Sequence, residues 1–208
     1  MKGKNIEIIS AAQDSAGEAA AGPIFDAAKA TYTTLIDQTH LITTLFSLVN
    51  VPSAVWIDEQ GRIVRINEGT YAAKHQLGTV EFGTDEYLPA VKDWAENGAR
   101  SRYVWSREEV AKHVRAITPD VALADSTFKL GAYFYEQGDS QLAKKYWQES
   151  QALDPDNWNY HRQDWSFSAI ERTEKFLEKR SNLGDKPYYA PLELDAPRPV
   201  NGAPERKP

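Results

Sequence analysis

The chain has 208 residues, a formal net charge of -6, 41% hydrophobic and 11% aromatic residues, and no cysteine. That length and apolar content can build one large core or two small ones, while zero cysteine excludes disulfides, thiolate nucleophiles and thiolate metal ligands together. No basic stripe or zinc-finger spacing points to nucleic acid, no apolar run approaches the ~20 residues of a membrane span, and MKGKNIEIIS lacks the apolar core of a secretory signal. The default expectation is a cytoplasmic protein.

Residues 5–12, NIEIISAA, have the Ile-rich pattern of a buried strand. Residues 17–31 are Ala-rich and helix-prone, with Ile24, Phe25, Ala28 and Lys29 at helical spacing; Pro23 places the start of the main helix at its own first turn. Residues 32–36 form a β-branched and aromatic run closed by Asp37, and 38–48 return to helical periodicity through Leu41, Ile42, Leu45 and Leu48. Next comes VNVPSAVWIDEQGRIVR, residues 49–65. Val51-Pro52 precedes an apolar run, Asp58-Glu59-Gln60-Gly61 punctuates like a tight turn, and residues 62–66 alternate polar with apolar side chains. The order strand, helix, strand, helix, strand, strand predicts a right-handed parallel crossover and then a hairpin. An X-Pro bond set against a strand is where a cis peptide costs least, so Val51–Pro52 is expected to be cis.

Residues 67–82 read as a loop or hairpin insertion, and 84–97 as a helix with Pro89 in its first turn, a stripe of Leu88, Val91, Trp94 and Ala95, and Gly98 as its C-cap. Ser106-Arg107-Glu108-Glu109 is a capping box before Val110, Val114 and Ile117, and Thr118-Pro119 closes that helix. Beyond it, WNYHRQDWSF concentrates aromatics beside His161 and Arg162, Ser168 caps a helix running to about residue 181 with Gly184 as its stop, and the Pro-rich residues 184–208 read as an extended tail that Tyr188 and Tyr189 can dock.

Two resemblances arise from these residues. The pattern VP-S-AVWID-x-x-GRIV resembles the TlpA/ResA-type redoxin branch of the thioredoxin fold, in which the loop proline is cis and faces a Cys-x-x-C motif. Val51 and Pro52 are the positions that carry over; the catalytic cysteines have no counterpart here. Residues 124–157 resemble one tetratricopeptide repeat: Leu130-Gly131, Phe134, the turn Gly138-Asp139, the small Ala143, and Asp154-Pro155 at the close, with Ser150 where the pattern prefers Ala. The resemblances imply an α/β plus α protein, an incomplete thioredoxin-like sheet with an appended TPR-like helical array. The implied organisation is a thioredoxin-like part at 1–66, a connecting insertion and helix at 67–105, helices at 106–183 and the tail at 184–208. Ile6, Ile8, Ile9, Val55 and Ile57 would then line sheet edges left open by the family's absent central strand.

Chemistry is sparse. His40, His75, His113 and His161 are scattered, and no metal site or cofactor is expected from their spacing. Asp14, Asp37 and Asp58 each end a predicted strand, at the rim where active sites gather in parallel sheets, but Asp is also a common turn former and that is the reading we favour. No phosphate-binding or nucleophile-elbow motif occurs, and Ser10, Ser15 and Ser53 have no activating His nearby. Of the aromatics Tyr133, Tyr135, Tyr146, Trp147, Trp158, Tyr160 and Trp165, most belong to a core between helices; Tyr135, Tyr146, Trp147 and Trp158 are the candidates for partner contact. Two functions follow as expectations. One is a non-catalytic module binding a protein or peptide, which could also be a strand donor or a second copy. The other is a thiol-disulfide oxidoreductase family member whose catalytic N-terminal unit is missing from this chain.

Overall fold

The computed structural model describes residues 4–72, 74–77 and 80–194. Strand β1 (Ile9–Gln13) pairs in parallel with β2 (Thr33–Asp37), Ile9 opposite Thr33 through Gln13 opposite Asp37, with helix α1 (Glu18–Ala28) as the crossover between them. β1 starts four residues later than the Ile pattern predicts, because β2 offers partners only from Thr33 onward. α1 also departs from expectation: it begins at Glu18 and carries Pro23 inside it. Gly17, at φ +62°, starts the helix by accepting from Ala20 and Ala21 N–H, and the run Ala19-Ala20-Ala21 is the strongest helix-former in the segment. Pro23 therefore costs one internal hydrogen bond rather than setting the start. The buried face is Ala21 and Gly22, while Ile24 is exposed. Helix α2 is cut to Leu41–Phe46, ending at Ser47 in the left-handed region; Thr43 and Leu48 turn inward, and Leu41 and Leu45 are exposed.

β3 (Ser53–Ile57) and β4 (Ile63–Glu68) pair as a hairpin closed by Asp58 N–H donating to Arg62 O, and the Val51–Pro52 bond is cis as expected. The insertion is a short antiparallel hairpin, β5 (His75–Leu77) with β6 (Val80–Phe82). Helix α3 (Tyr87–Asn97) ends on Gly98, and α4 (Arg107–His113) starts with Ser106 Oγ accepting from Glu109 N–H. α4 stops at His113. Thr118-Pro119, expected to close it, instead opens α5 (Pro119–Glu136), with Thr118 Oγ1 capping Val121 N–H and Pro119 in the first turn, where it lacks nothing. α6 (Ser140–Leu153), capped by Asp139, then α7 (Trp158–Trp165) and α8 (Ala169–Ser181) complete the chain. The architecture is thus mixed α/β, with eight α-helices and three two-stranded sheets among the described residues.

The chain divides into two compact units that interleave in sequence. The first comprises residues 4–6, 54–113 and 191–194, so the segment 1–66 contributes to both units. Its core is Trp56, Val64, Tyr87, Ala90 and Leu194, with Trp56 stacked on Trp94 at 4.8 Å and donating Nε1–H to Tyr87 Oη at 2.9 Å. Arg65, a polar member of the alternating run 62–66, is 1% exposed. Its guanidinium lies 4.2 Å over Trp105 and donates to the carbonyls of Tyr103, Leu192 and Glu193 and, through Nε, to Asn67. An ion of that size is buried only with such a set of acceptors. Burial lowers Arg65 to about 10, so it remains charged at neutral pH. α4, expected to flank the helical repeat, packs on β4, with Trp105 N–H donating to Val64 O beside it.

The second unit comprises Glu7–Ser53 and Val114–Ala190. Its core is Ala124, Phe128, Ala143, Trp147 and Tyr160. α5 and α6 form an antiparallel pair turning at Gly138-Asp139, as the spacing predicts. They meet where both are small: a Cβ at Gly131 would stand 2.6 Å from Trp147 Cδ1 and 3.1 Å from the Ala143 carbonyl. Ser150 fits in the place of Ala, fully buried, with its hydroxyl donating to Trp147 O. The pair is flanked by α7, a helix the sequence pattern does not reveal. Beyond α8, Asn50 Nδ2–H donates to Tyr188 O and Tyr189 Oη–H to Val51 O, so Tyr188 and Tyr189 do dock the chain after Gly184. Residues 195–208 of the expected tail lie outside the described residues.

Candidate functional site

The three strand-ending aspartates all turn out to be turn and cap residues. Asp14 Oδ1 accepts from Ala16 N–H, and Asp58 Oδ1 accepts from Gln60 and Arg62 N–H while Oδ2 takes Arg62 Nε–H. Asp37 does the most: Oδ1 accepts from Leu41 N–H at 3.0 Å and Oδ2 from Ile42 N–H at 2.8 Å, holding the start of a six-residue helix. Asp37→Ala is expected to lower the stability of the second unit by about 1–2 kcal/mol and Asp37→Asn by less, since one acceptor survives. Urea unfolding of the two variants checks this; equal loss in both would show that the charge matters rather than the cap.

Close in sequence to Asp37, His40 is 4% exposed and held at φ +55°. Gln163 Oε1 accepts from Ser15 N–H at 2.9 Å and lies 3.0 Å from His40 Nε2. An amide oxygen facing both nitrogens makes Nε2 a donor, while Nδ1 is buried without a hydrogen-bond partner. Burial depresses the His40 pKa, against the pull of Gln163, Asp37 and Asp14. Phe128 packs edge-on against the ring at 4.8 Å. The arrangement is a fixed polar joint.

The cis-proline loop is likewise spoken for. Asn50, fully buried, accepts from Val51 N–H through Oδ1, and Tyr189 occupies the Val51 carbonyl, so Val51 next to Pro52 has both backbone groups satisfied internally.

The predicted contact aromatics separate by burial. Trp147 and Trp158 are 2% and 5% exposed and belong to the core, so neither offers a face to a partner. Trp147 is enclosed by Phe128, Tyr135 and Phe167, and Trp158 by Tyr188 and Phe176. Tyr135 and Tyr146 are half-buried. The exposed rings are others: Tyr133, 54% exposed, edge-on to Phe134, which stacks on Tyr146 at 5.4 Å. On α5, Leu130 lies three and four residues before Tyr133 and Phe134, and Leu123 one heptad before Leu130. Both leucines are exposed. Leu123, Leu130 and Tyr133 thus expose apolar side chains along one side of α5, with Phe134 packed inward beside Tyr133 and stacked on Tyr146 of α6, whose ring Lys145 Nζ covers at 5.1 Å. The signal was available in the sequence as residues 123, 130 and 133, but exposure cannot be read from periodicity.

Among the described residues, one group has the donor set for a metal: Glu109, His113 and Glu193 in the first unit. Its i,i+4 half, Glu109 and His113 on α4, was legible as ligand spacing, though the expectation from the scattered histidines passed it over. No helix among the described residues is long and apolar enough to cross a membrane. Comparison with protein-family models, curated proteins and solved structures finds no match for this chain.

Proposed function

We propose that this chain is a non-catalytic protein-interaction module, in which a cysteine-free, thioredoxin-like α/β part supports a tetratricopeptide-like helix pair that docks a peptide or protein segment. The observation that carries the reading is the exposed stripe Leu123–Leu130–Tyr133 on α5, flanked by Tyr146. Apolar side chains aligned over three turns of one helix and left in water are a standing cost of roughly 1–2 kcal/mol each that a docked partner removes. The parallel β1–α1–β2 crossover and the close approach at Gly131 are what the two resemblances imply, and both support the reading. The aspartates and His40 are engaged in capping and in the polar joint with Gln163, which removes them from the catalytic candidates.

A panel of amphipathic helical and extended peptides, measured against the full chain by fluorescence anisotropy, tests this. Binders carrying apolar residues at i and i+4 are expected, and Leu130→Asp or Tyr133→Asp should weaken them at least tenfold at unchanged melting temperature. A panel with no binder, or binding indifferent to both substitutions, would contradict the proposal.

A further inference from the structure

We propose that Glu109, His113 and Glu193 form a binding site for a divalent transition-metal ion of the zinc class, which clasps the segment at residues 191–194 onto α4. The argument starts from the imidazole. His113 Nδ1 lies 2.9 Å from the backbone carbonyl of Glu109, an atom that can only accept, so the ring proton sits on Nδ1. Nε2 lies 3.1 Å from Glu193 Oε2, a carboxylate oxygen, a contact that holds either a second ring proton or a cation between the two atoms. Such a contact is repulsive unless a positive charge is shared between them. Ligand atoms held at about 2.0–2.2 Å by one tetrahedral zinc ion lie about 3.3–3.6 Å apart, so the 3.1 Å pair has to open only slightly to admit one.

The ligand atoms of Glu109, His113 and Glu193 all lie within 4.8 Å of one another, and Glu109 Oε1 stands 3.8 Å from Nδ1, so Glu109 is the ligand that must rotate to reach an ion at Nε2. The ring is also oriented before any ion arrives. Trp105 stacks on it at 3.9 Å, and the Nδ1–carbonyl bond is the outer contact that fixes the tautomer of metal-binding histidines. Glu193 is delivered by a clamp of its own, since Arg65 donates to the carbonyls of Leu192 and Glu193. One imidazole with two carboxylates suits zinc and its neighbours better than magnesium or calcium, which prefer oxygen alone. Lys112 competes for the Glu109 carboxylate, its Nζ lying 2.7 Å from Oε2.

The test is isothermal titration of ZnCl2 into the untagged full chain in a non-chelating buffer, with equilibrium dialysis for stoichiometry. One zinc per chain is expected at this site, not displaced by equimolar Mg2+. His113→Gln and Glu193→Gln should each weaken it at least tenfold, and Glu149→Gln, on the exposed face of α6, should leave it unchanged. Lys112→Ala should tighten binding several-fold, because it frees the Glu109 carboxylate; this variant keeps all three donors and so does not depend on any ligand variant folding. Absence of one-to-one binding, or binding indifferent to His113→Gln and Glu193→Gln, would overturn the proposal and leave a proton as the charge shared by His113 and Glu193.

Discussion

Gly131→Leu is expected to destabilise the second unit by about 3 kcal/mol or more and to lower its melting temperature by several degrees. The added Cβ alone would stand 2.6 Å from Trp147 Cδ1 and 2.7 Å from its Nε1, distances that real Cβ atoms do not sustain. Trp147 cannot swing aside, because Phe128, Tyr135 and Phe167 enclose it and it is 2% exposed. The backbone of α6 blocks the other side through the Ala143 carbonyl. Leucine does gain in helix propensity over glycine, but that is worth only about 0.8–1 kcal/mol, less than the overpacking it opposes. Far-UV circular dichroism follows the loss well, since α5 and α6 are the longest helices present. An unchanged midpoint would mean that α5 and α6 do not meet at Gly131.

That contact is also where the sequence spoke most clearly. Small residues at positions 131 and 143, a turn at 138–139 and aromatics between them specify a helix pair without reference to anything distant. The hairpin at Asp58 was equally legible, because a turn is a local event. α7 was not legible, for the opposite reason. Seven of its eight residues are buried, Asn159, His161, Gln163 and Asp164 among them, so it carries no apolar stripe to betray a helix. Several of its polar groups find partners far away in sequence: Asn159 Nδ2–H donates to Leu48 O, Gln163 meets Ser15 and His40, and Trp158 N–H donates to Val49 O. Arg65 shows the same limit, since only its distant carbonyl acceptors explain why an arginine is in a core. Among the site residues, Trp147 and Trp158 looked exposable because composition does not say which way a ring turns.

Acid should unfold the second unit earlier than its carboxylates alone would. Burial first, and then the charge of Lys179, push His161 down to about 4, against its bond to the Pro155 carbonyl and the fields of Asp154 and Asp156. The unfolded chain, near 6.5, binds the proton first. The stabilising contribution of neutral His161 is therefore complete above pH 6.5 and is lost as pH falls from there towards 4, where the folded state also takes the proton and the loss levels off. A shift of that size corresponds to about 3 kcal/mol at most. His40, also depressed by burial, acts in the same direction. Urea midpoints at pH 7, 6, 5 and 4.5 should fall steadily for the wild type and more gently for His161→Gln, which keeps a donor for Pro155 and cannot become charged. Parallel profiles for the two proteins would refute the assignment.

The central claim, that α5 presents a docking face, is tested most directly by methyl nuclear magnetic resonance on leucine-labelled protein as a bound peptide from the panel is titrated in. Exposed leucines mark several surfaces of the chain, so one spectrum reports on all of them. The account predicts shifts at Leu123 and Leu130, with Leu88 on α3 and Leu177 on α8 unmoved. Shifts at Leu35 of β2 in their place, with Leu123 and Leu130 silent, would put the partner on the open sheet edge and contradict it.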